Sequence, residues 1–165
     1  MTERDRWLEM TAEELLLECD QEFRKARGHG GQKVNKTSSA VRLTHRATGL
    51  CVTADASRSQ YENRLHAVSK LRCRIAYELR AEVPAGEPPY YQLLPEPSVR
   101  NPRRMLWAAH VLDVLAACSW DPKSAAAGLG VSVSHLTRTL SRDADLWQIL
   151  NHERMRLGLH PWKGN

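Results

Sequence analysis

The chain has 165 residues, 42% of them hydrophobic and 26% charged, with a net charge of +5. That suits one domain of ordinary size or two small ones, with the composition of a globular protein in water. No run approaches the ~18 apolar residues of a membrane span, and the charged opening Met1-Thr2-Glu3-Arg4-Asp5-Arg6 leads into no apolar signal core.

A cytoplasmic protein is therefore expected, without a membrane partner. The four cysteines, Cys19, Cys51, Cys73 and Cys118, show no CxxC spacing and no zinc-ligand interval to a histidine. Free thiols are expected, with no metal and no cofactor.

The charge is unevenly spread. Residues 1–22 hold Arg4 and Arg6 against eight acids, a net of −6. Residues 23–80 hold thirteen Lys/Arg against Asp55, Glu62 and Glu78, a net of +10. A basic block beside an acidic one points to a polyanionic partner for the basic block.

In chain order, Thr11-Ala12-Glu13-Glu14 has the form of a capping box and predicts a short helix. A strand ending near residue 26 follows. Residues 27–38, rich in Gly, Lys and Asn, read as a loop. Val41, Leu43 and His45 alternate with Arg42 and Thr44, the period of a half-buried strand. Ala47-Thr48-Gly49 is a turn, and residues 50–54 return as a second strand to make a hairpin.

The period then lengthens. Tyr61, Leu65, Val68, Leu71, Ile75 and Leu79 recur at steps of three and four, which predicts one apolar face of a helix over 58–81. Six of the eight prolines fall between Pro84 and Pro102, a stretch that reads as a linker. The expected domains are thus 8–83, a linker over 84–102, and a helical module over 103–162. The fold class is α+β, a small antiparallel sheet with a long helix packed on it, followed by a small all-α module.

In that module residues 105–118 predict a buried helix. Asp121-Pro122 supplies an N-cap and a proline at the first helical position. Ala126, Gly130 and Leu136 then have helix-turn-helix spacing, with Ala allowing close helix approach and Gly taking the turn. A last helix is expected over 145–157, ending at Gly158. His135, Arg138 and Arg142 fall on one helix face, but residues 121–165 carry a net charge of only +2. Contact with RNA or the ribosome, plain helical packing and DNA binding all remain open for this face, DNA being the least favoured.

The most informative stretch is Gly28-His29-Gly30-Gly31-Gln32-Lys33-Val34-Asn35-Lys36-Thr37. Three glycines in four positions give a loop access to φ > 0 and let its backbone approach another surface closely. Gln32 offers a backbone N–H and a side-chain amide. A fixed N–H is an economical way to stabilise negative charge growing on an ester oxygen. Lys33, Lys36 and Arg42 flank the loop with charges suited to phosphate.

This stretch, together with Ser39-Ala40-Val41-Arg42-Leu43-Thr44-His45, Thr48-Gly49, Arg58-Ser59-Gln60 and Asn63-Arg64, resembles the catalytic domain of class I peptide chain release factors. The resemblance runs from about residue 16 to 81. It implies ribosome-dependent hydrolysis of the peptidyl-tRNA ester, with Gly30, Gly31 and Gln32 as the catalytic residues. The backbone N–H of Gln32 would stabilise the transition state while its side chain admits water. The peptidyl-transferase centre and the terminal ribose of the tRNA would supply most of the chemistry, so no Ser-His-Asp or Cys-His set is needed.

Residues assigned to RNA in the same domain are Arg27, Lys33, Asn35, Lys36, Arg42, Arg58 and Arg64, with His135, Arg138 and Arg142 in the module. The implied partners are the large ribosomal subunit and peptidyl-tRNA, engaged by a monomer. For Arg58-Ser59-Gln60 the competing reading is a helix capped by Ser57 with Arg58 in solvent.

The sequence departs from the family at three places. The family usually has Ala or Pro where His29 stands, Ser where Arg27 stands, and often His where Lys33 stands. No Pro-x-Thr or Ser-Pro-Phe codon-reading tripeptide occurs, and the chain ends without the Lys/Arg-rich tail of small rescue hydrolases. The expectation is therefore a codon-independent rescue activity whose ribosome selection has another basis. The alternative is a helix-turn-helix nucleic-acid-binding regulator with a catalytically idle release-factor-like domain.

Overall fold

The computed structural model describes residues 2–24, 39–83, 96–98 and 101–163. They divide between two compact units, 1–75 and 76–165. Among the described residues no helix is long and apolar enough to cross a membrane.

The first unit opens with two short helices, each started by a reciprocal cap. In α1 (Glu3–Glu9) the Asp5 N–H donates to the Thr2 hydroxyl at 3.2 Å, while Asp5 accepts the Thr2 N–H at 3.0 Å. Thr11 and Glu14 repeat the arrangement for α2 (Ala12–Leu17), as the sequence predicts. The α1 box escapes the sequence reading because Asp, not Glu, closes it.

Three antiparallel strands follow, β1 (Cys19–Arg24), β2 (Ala40–His45) and β3 (Cys51–Ala54), in spatial order β1-β2-β3. Cys19 pairs with His45 and Arg24 with Ala40, while Val41 pairs with Ala54 and Thr44 with Cys51. The expected hairpin is present. Gly49 at φ +71 turns the chain, and its N–H reaches the His45 carbonyl at 2.8 Å. Val41, Leu43 and His45 lie buried on one face with Val52 and Ala54, as the alternation predicts.

Helix α3 (Gln60–Glu78) is shorter at both ends than the predicted 58–81. It is fastened to the sheet by its own side chains. Lys70 Nζ donates to the Thr53 carbonyl at 2.8 Å, and Arg74 donates to the Cys51 carbonyl at 2.6 Å. The predicted apolar stripe is correct only in its second half. Val68, Leu71 and Ile75 are buried, but Tyr61 is 67% exposed and Leu65 36%. The first turns bury Asn63 and Ala67 instead, so the inward stripe runs 63, 67, 71, 75 at the four-residue step. A polar Asn in the stripe hides this phase from a reading keyed to apolar residues.

The second unit contains α4 (Arg104–Ala117), α5 (Pro122–Gly128), α6 (Val133–Arg142) and α7 (Ala144–Arg156). Asp121 caps α5 by accepting the Ser124 N–H at 2.9 Å, with Pro122 at its first position. The turn into α6 is a Schellman closure. The Val131 N–H reaches the Ala126 carbonyl and the Gly130 N–H the Ala127 carbonyl, both at 3.0 Å, with Gly130 at φ +66. Ser132 then caps α6 and Asp143 caps α7. The same closure ends α7 at Gly158, φ +71.

Leu112, Leu115, Leu129, Leu136, Leu140, Leu146 and Leu150 are fully buried at the centre of this unit. Each contributes about 1.5–3 kcal/mol of transfer free energy. Trp107 and Trp120 pack among them, and Tyr77, Val83 and Trp162 cover the cluster. Ser119 and Trp120 both lie at positive φ, 53° and 59°, which costs ~1–2 kcal/mol per residue. The Trp120 carbonyl accepts from Arg154 at 2.7 Å, so the strained corner is held from α7.

Candidate functional site

Gly30, Gly31 and Gln32, with Arg27, His29, Lys33, Asn35 and Lys36, lie outside the described residues. What is described is the pair of strand ends from which their segment departs and returns. β1 ends at Arg24 and β2 begins at Ala40, and these two residues are cross-strand partners. The segment 25–38 is thus a connection between adjacent antiparallel strands.

The return end is fixed by a buried amide. Asn63, fully buried on α3, donates through Nδ2 to the Ser39 carbonyl at 2.7 Å and to the Ser57 carbonyl at 2.8 Å. Its Oδ1 accepts the Ser57 N–H at 2.9 Å. Three hydrogen bonds in the dry interior satisfy most of the side chain's capacity and tie the start of β2 to the turn before α3. The departing end meets the next residue along α3. The Arg64 guanidinium carbon lies 5.5 Å from the centroid of the Phe23 ring.

Ser59, not Ser57, caps α3, accepting the Glu62 N–H at 3.3 Å. Ser57 accepts the Ser59 N–H at 3.0 Å and pairs its hydroxyl with Glu62. A capping Ser does exist at this helix start, two residues later than Ser57. Arg58 stands between them, exposed.

Arg42 projects from the other face of β2, between Glu22 on β1 and Thr53 on β3. Its Nε lies 2.9 Å from Cys51 Sγ. Burial works to raise the Cys51 thiol, but the Arg42 guanidinium and the Thr44 hydroxyl outweigh it and hold the thiol below its ordinary value. Arg42 is half-buried with this bond made, whereas Arg58 is exposed.

In the second unit His135, Arg138 and Arg142 occupy the exposed face of α6, together with Ser134 and Ser141. Leu136 and Leu140, one step round the helix, are fully buried. The sequence spacing therefore placed these three side chains on one face correctly. Asn63 and Phe23 were not singled out as site residues. The signal for Asn63 was its four-residue spacing from Ala67, Leu71 and Ile75.

Residues 12–88 match the family model described as RF-1 domain. Peptide chain release factor 1 of Thermotoga maritima is 49% identical over 75 residues, covering 46% of this chain and 20% of that protein. Peptide chain release factor 2 of Lactiplantibacillus plantarum is 52% identical over 63 residues, 38% of this chain and 16% of the relative. Peptide chain release factor 1 of Caldicellulosiruptor saccharolyticus is 41% identical over 97 residues, 59% of this chain and 23% of the relative. The chain thus spans about a fifth of the length of these relatives. Both release factor types are among the relatives, and the RF-1 domain match over 12–88 holds the Gly30-Gly31-Gln32 sequence and the strands and helix just described. Over residues 12–88, a little under half of its length, this chain is similar to the RF-1 domain of peptide chain release factors.

Proposed function

We propose that this protein releases nascent peptide from ribosomes by hydrolysis of the peptidyl-tRNA ester, independently of the codon, as a rescue factor for stalled complexes. The observation that carries this reading is the RF-1 domain match over 12–88, with Gly30-Gly31-Gln32 inside it.

In the proposed reaction water adds to the ester carbonyl carbon. The bond from that carbon to the ribose oxygen of the tRNA breaks, and the leaving oxygen takes a proton. The backbone N–H of Gln32 donates to the oxyanion as it forms, an interaction stronger in the transition state than before it. The Gln32 side chain orients water and excludes larger nucleophiles. Arg27, Lys33, Asn35, Lys36, Arg42, Arg58 and Arg64 belong to the basic surface that meets large-subunit RNA. The +10 charge of residues 23–80 favours such a partner. The protein works as a cytoplasmic monomer.

Residues 103–162 form the second functional module in this reading. The exposed His135, Arg138 and Arg142 of α6 supply its contact with ribosomal RNA and help choose the ribosomes acted upon. An α5–α6 pair with a basic outer face also favours a second reading, a nucleic-acid-binding regulator whose first unit is catalytically idle.

The deciding experiment measures peptide release from ribosomes stalled on truncated mRNA, with and without the full chain. Rapid release that requires Gln32 is expected. Release no faster than the spontaneous rate, alongside tight binding to duplex DNA, would establish the second reading instead.

A further inference from the structure

Asn63 and Arg64 are consecutive residues of α3, yet they address opposite ends of one segment. Asn63 holds Ser39, where segment 25–38 returns to the sheet, by a 2.7 Å hydrogen bond. Arg64 lies over Phe23, which precedes the segment by two residues, at 5.5 Å. Phe23 is itself paired with Val41 across the β1–β2 ladder. We propose that Asn63 and Arg64 are positioning residues that clamp both stems of the segment carrying Gly30-Gly31-Gln32, so that the first turn of α3 sets where Gln32 is presented. This rests on the reaction proposed above.

Three observations support the clamp. First, Asn63 is fully buried, and its other bonds run to Ser57, before α3, so the amide joins two separate pieces of chain at one point. Without it the Ser39 carbonyl loses its donor in the interior, which favours a shifted stem.

Second, register here is all-or-none. A slip of one residue at the mouth of a hairpin moves the chain by about 3.3 Å and exchanges its faces. A reacting group displaced by even ~1 Å loses about a hundredfold in rate.

Third, the Arg64 Nε is buried with no hydrogen-bond partner among the described residues. The guanidinium carbon lies within cation–π distance of the ring it covers. Arg64 therefore acts here through Phe23, whatever its charge adds at longer range.

The test uses the full chain with Asn63→Ala, Phe23→Leu, Arg64→Met and the Phe23→Leu/Arg64→Met pair. Phe23 is 42% exposed, so Phe23→Leu keeps the fold should Asn63→Ala fail to. The first readout needs no ribosome. Limited trypsin digestion reports opening at Lys25, Arg27, Lys33 and Lys36 against sites elsewhere.

Cleavage within 25–38 is expected to rise on the order of tenfold in each single variant while other sites keep their rate. The double variant should add little to Arg64→Met, because the two residues act as one contact. The second readout is peptide release. In Asn63→Ala and Phe23→Leu the rate at saturating protein should fall on the order of tenfold to a hundredfold, with half-saturation changed less than twofold, whereas Arg64→Met, which also removes a charge from the basic surface, is read by its saturating rate alone.

Unchanged cleavage within 25–38, or an equal rise at every site, overturns the proposal. So does an unaltered saturating release rate in variants of an active protein. If the unaltered chain releases no peptide, the proposed reaction fails on its own, and the cleavage pattern alone decides on the clamp.

Discussion

Trp7 meets the imidazole of His45 edge to face, with ring centroids 4.5 Å apart and planes at 77°. His45 is fully buried at the end of β2, with Nδ1 2.9 Å from the Thr48 hydroxyl. Burial lowers its pKa from 6.5, because the charged ring would lose its water. The unfolded chain then binds a proton that the folded one refuses. Stability from this group is full above about pH 6.5 and declines as pH falls toward the folded value. The carboxylates act lower. Burial pushes Asp5 up, but hydrogen bonds from Arg4 and Thr2 outweigh it and hold it at about 2, so its contribution fades only below 3.8. Urea unfolding of the first unit should shift to lower denaturant between about pH 7 and pH 5, and His45→Gln should flatten that change. An unaltered midpoint over this range would refute the assignment.

Gly31→Ala should abolish peptide release while leaving ribosome binding within about twofold. The substitution removes conformational freedom at the last of three glycines in four positions without altering charge. Pelleting with ribosomes measures the binding, and a single-turnover release assay the chemistry. A variant as fast as the parent would remove Gly31 from the mechanism.

Ribosome affinity should fall steeply with salt, because the basic block displaces counterions from RNA. Arg58→Ala should flatten the log-log slope by about one contact, since Arg58 is exposed. Arg42→Ala should flatten it less, because that guanidinium is partly occupied by Cys51. Equal slopes for all three proteins would count against the assignment.

Arg104 is an interior cation with two acidic partners. It pairs with Asp143 at 2.6 Å and with Glu96, and it covers the Trp107 ring at 4.8 Å. Arg104→Met leaves both carboxylates without their partner and should destabilise the second unit by about 3 kcal/mol. Denaturant unfolding followed by tryptophan fluorescence gives the value. A loss below about 1 kcal/mol would place this pair among ordinary surface ion pairs.

Joint replacement of His135, Arg138 and Arg142 by Ala should weaken binding to stalled ribosomes about tenfold or more at moderate salt. The fold should persist, because all three side chains are exposed on α6. Parental release at limiting concentration would mean that this face serves another partner.

Much of this architecture was legible from periodicity and caps. The β2–β3 hairpin follows from Val41, Leu43 and His45 alternating before Gly49. The Schellman turn at Gly130 and the Asp121-Pro122 start of α5 follow from single residues with strong backbone preferences. The phase of α3 was not legible at its start, because Asn63 fills an interior position for its hydrogen bonds while Tyr61 and Leu65 stay exposed. Nor did the proline count reveal that Tyr77 and Val83 cover the core of the second unit. Such partners are chosen by tertiary packing, which no local pattern encodes. The Gly30-Gly31-Gln32 motif was read from chemistry and resemblance, and its role stands with the proposal above.

The tryptophans are divided in a way that makes the molecule optically separable. Trp7 is the only one within residues 1–75, while Trp107, Trp120, Trp147 and Trp162 all lie in the second unit. Replacing Trp7 by Phe leaves emission that reports the second unit alone, and replacing the other four leaves a lamp in the first. Trp7 sits against an imidazole, whose protonated form quenches indole emission, so that lamp should dim as His45 gains its proton. Trp162 is held by a bond from its indole N–H to the Thr137 hydroxyl at 3.1 Å. Its spectrum therefore reads whether the stretch after α7 is seated on α6. Two fluorophore sets on one chain allow the order in which the units lose structure to be followed without any added label.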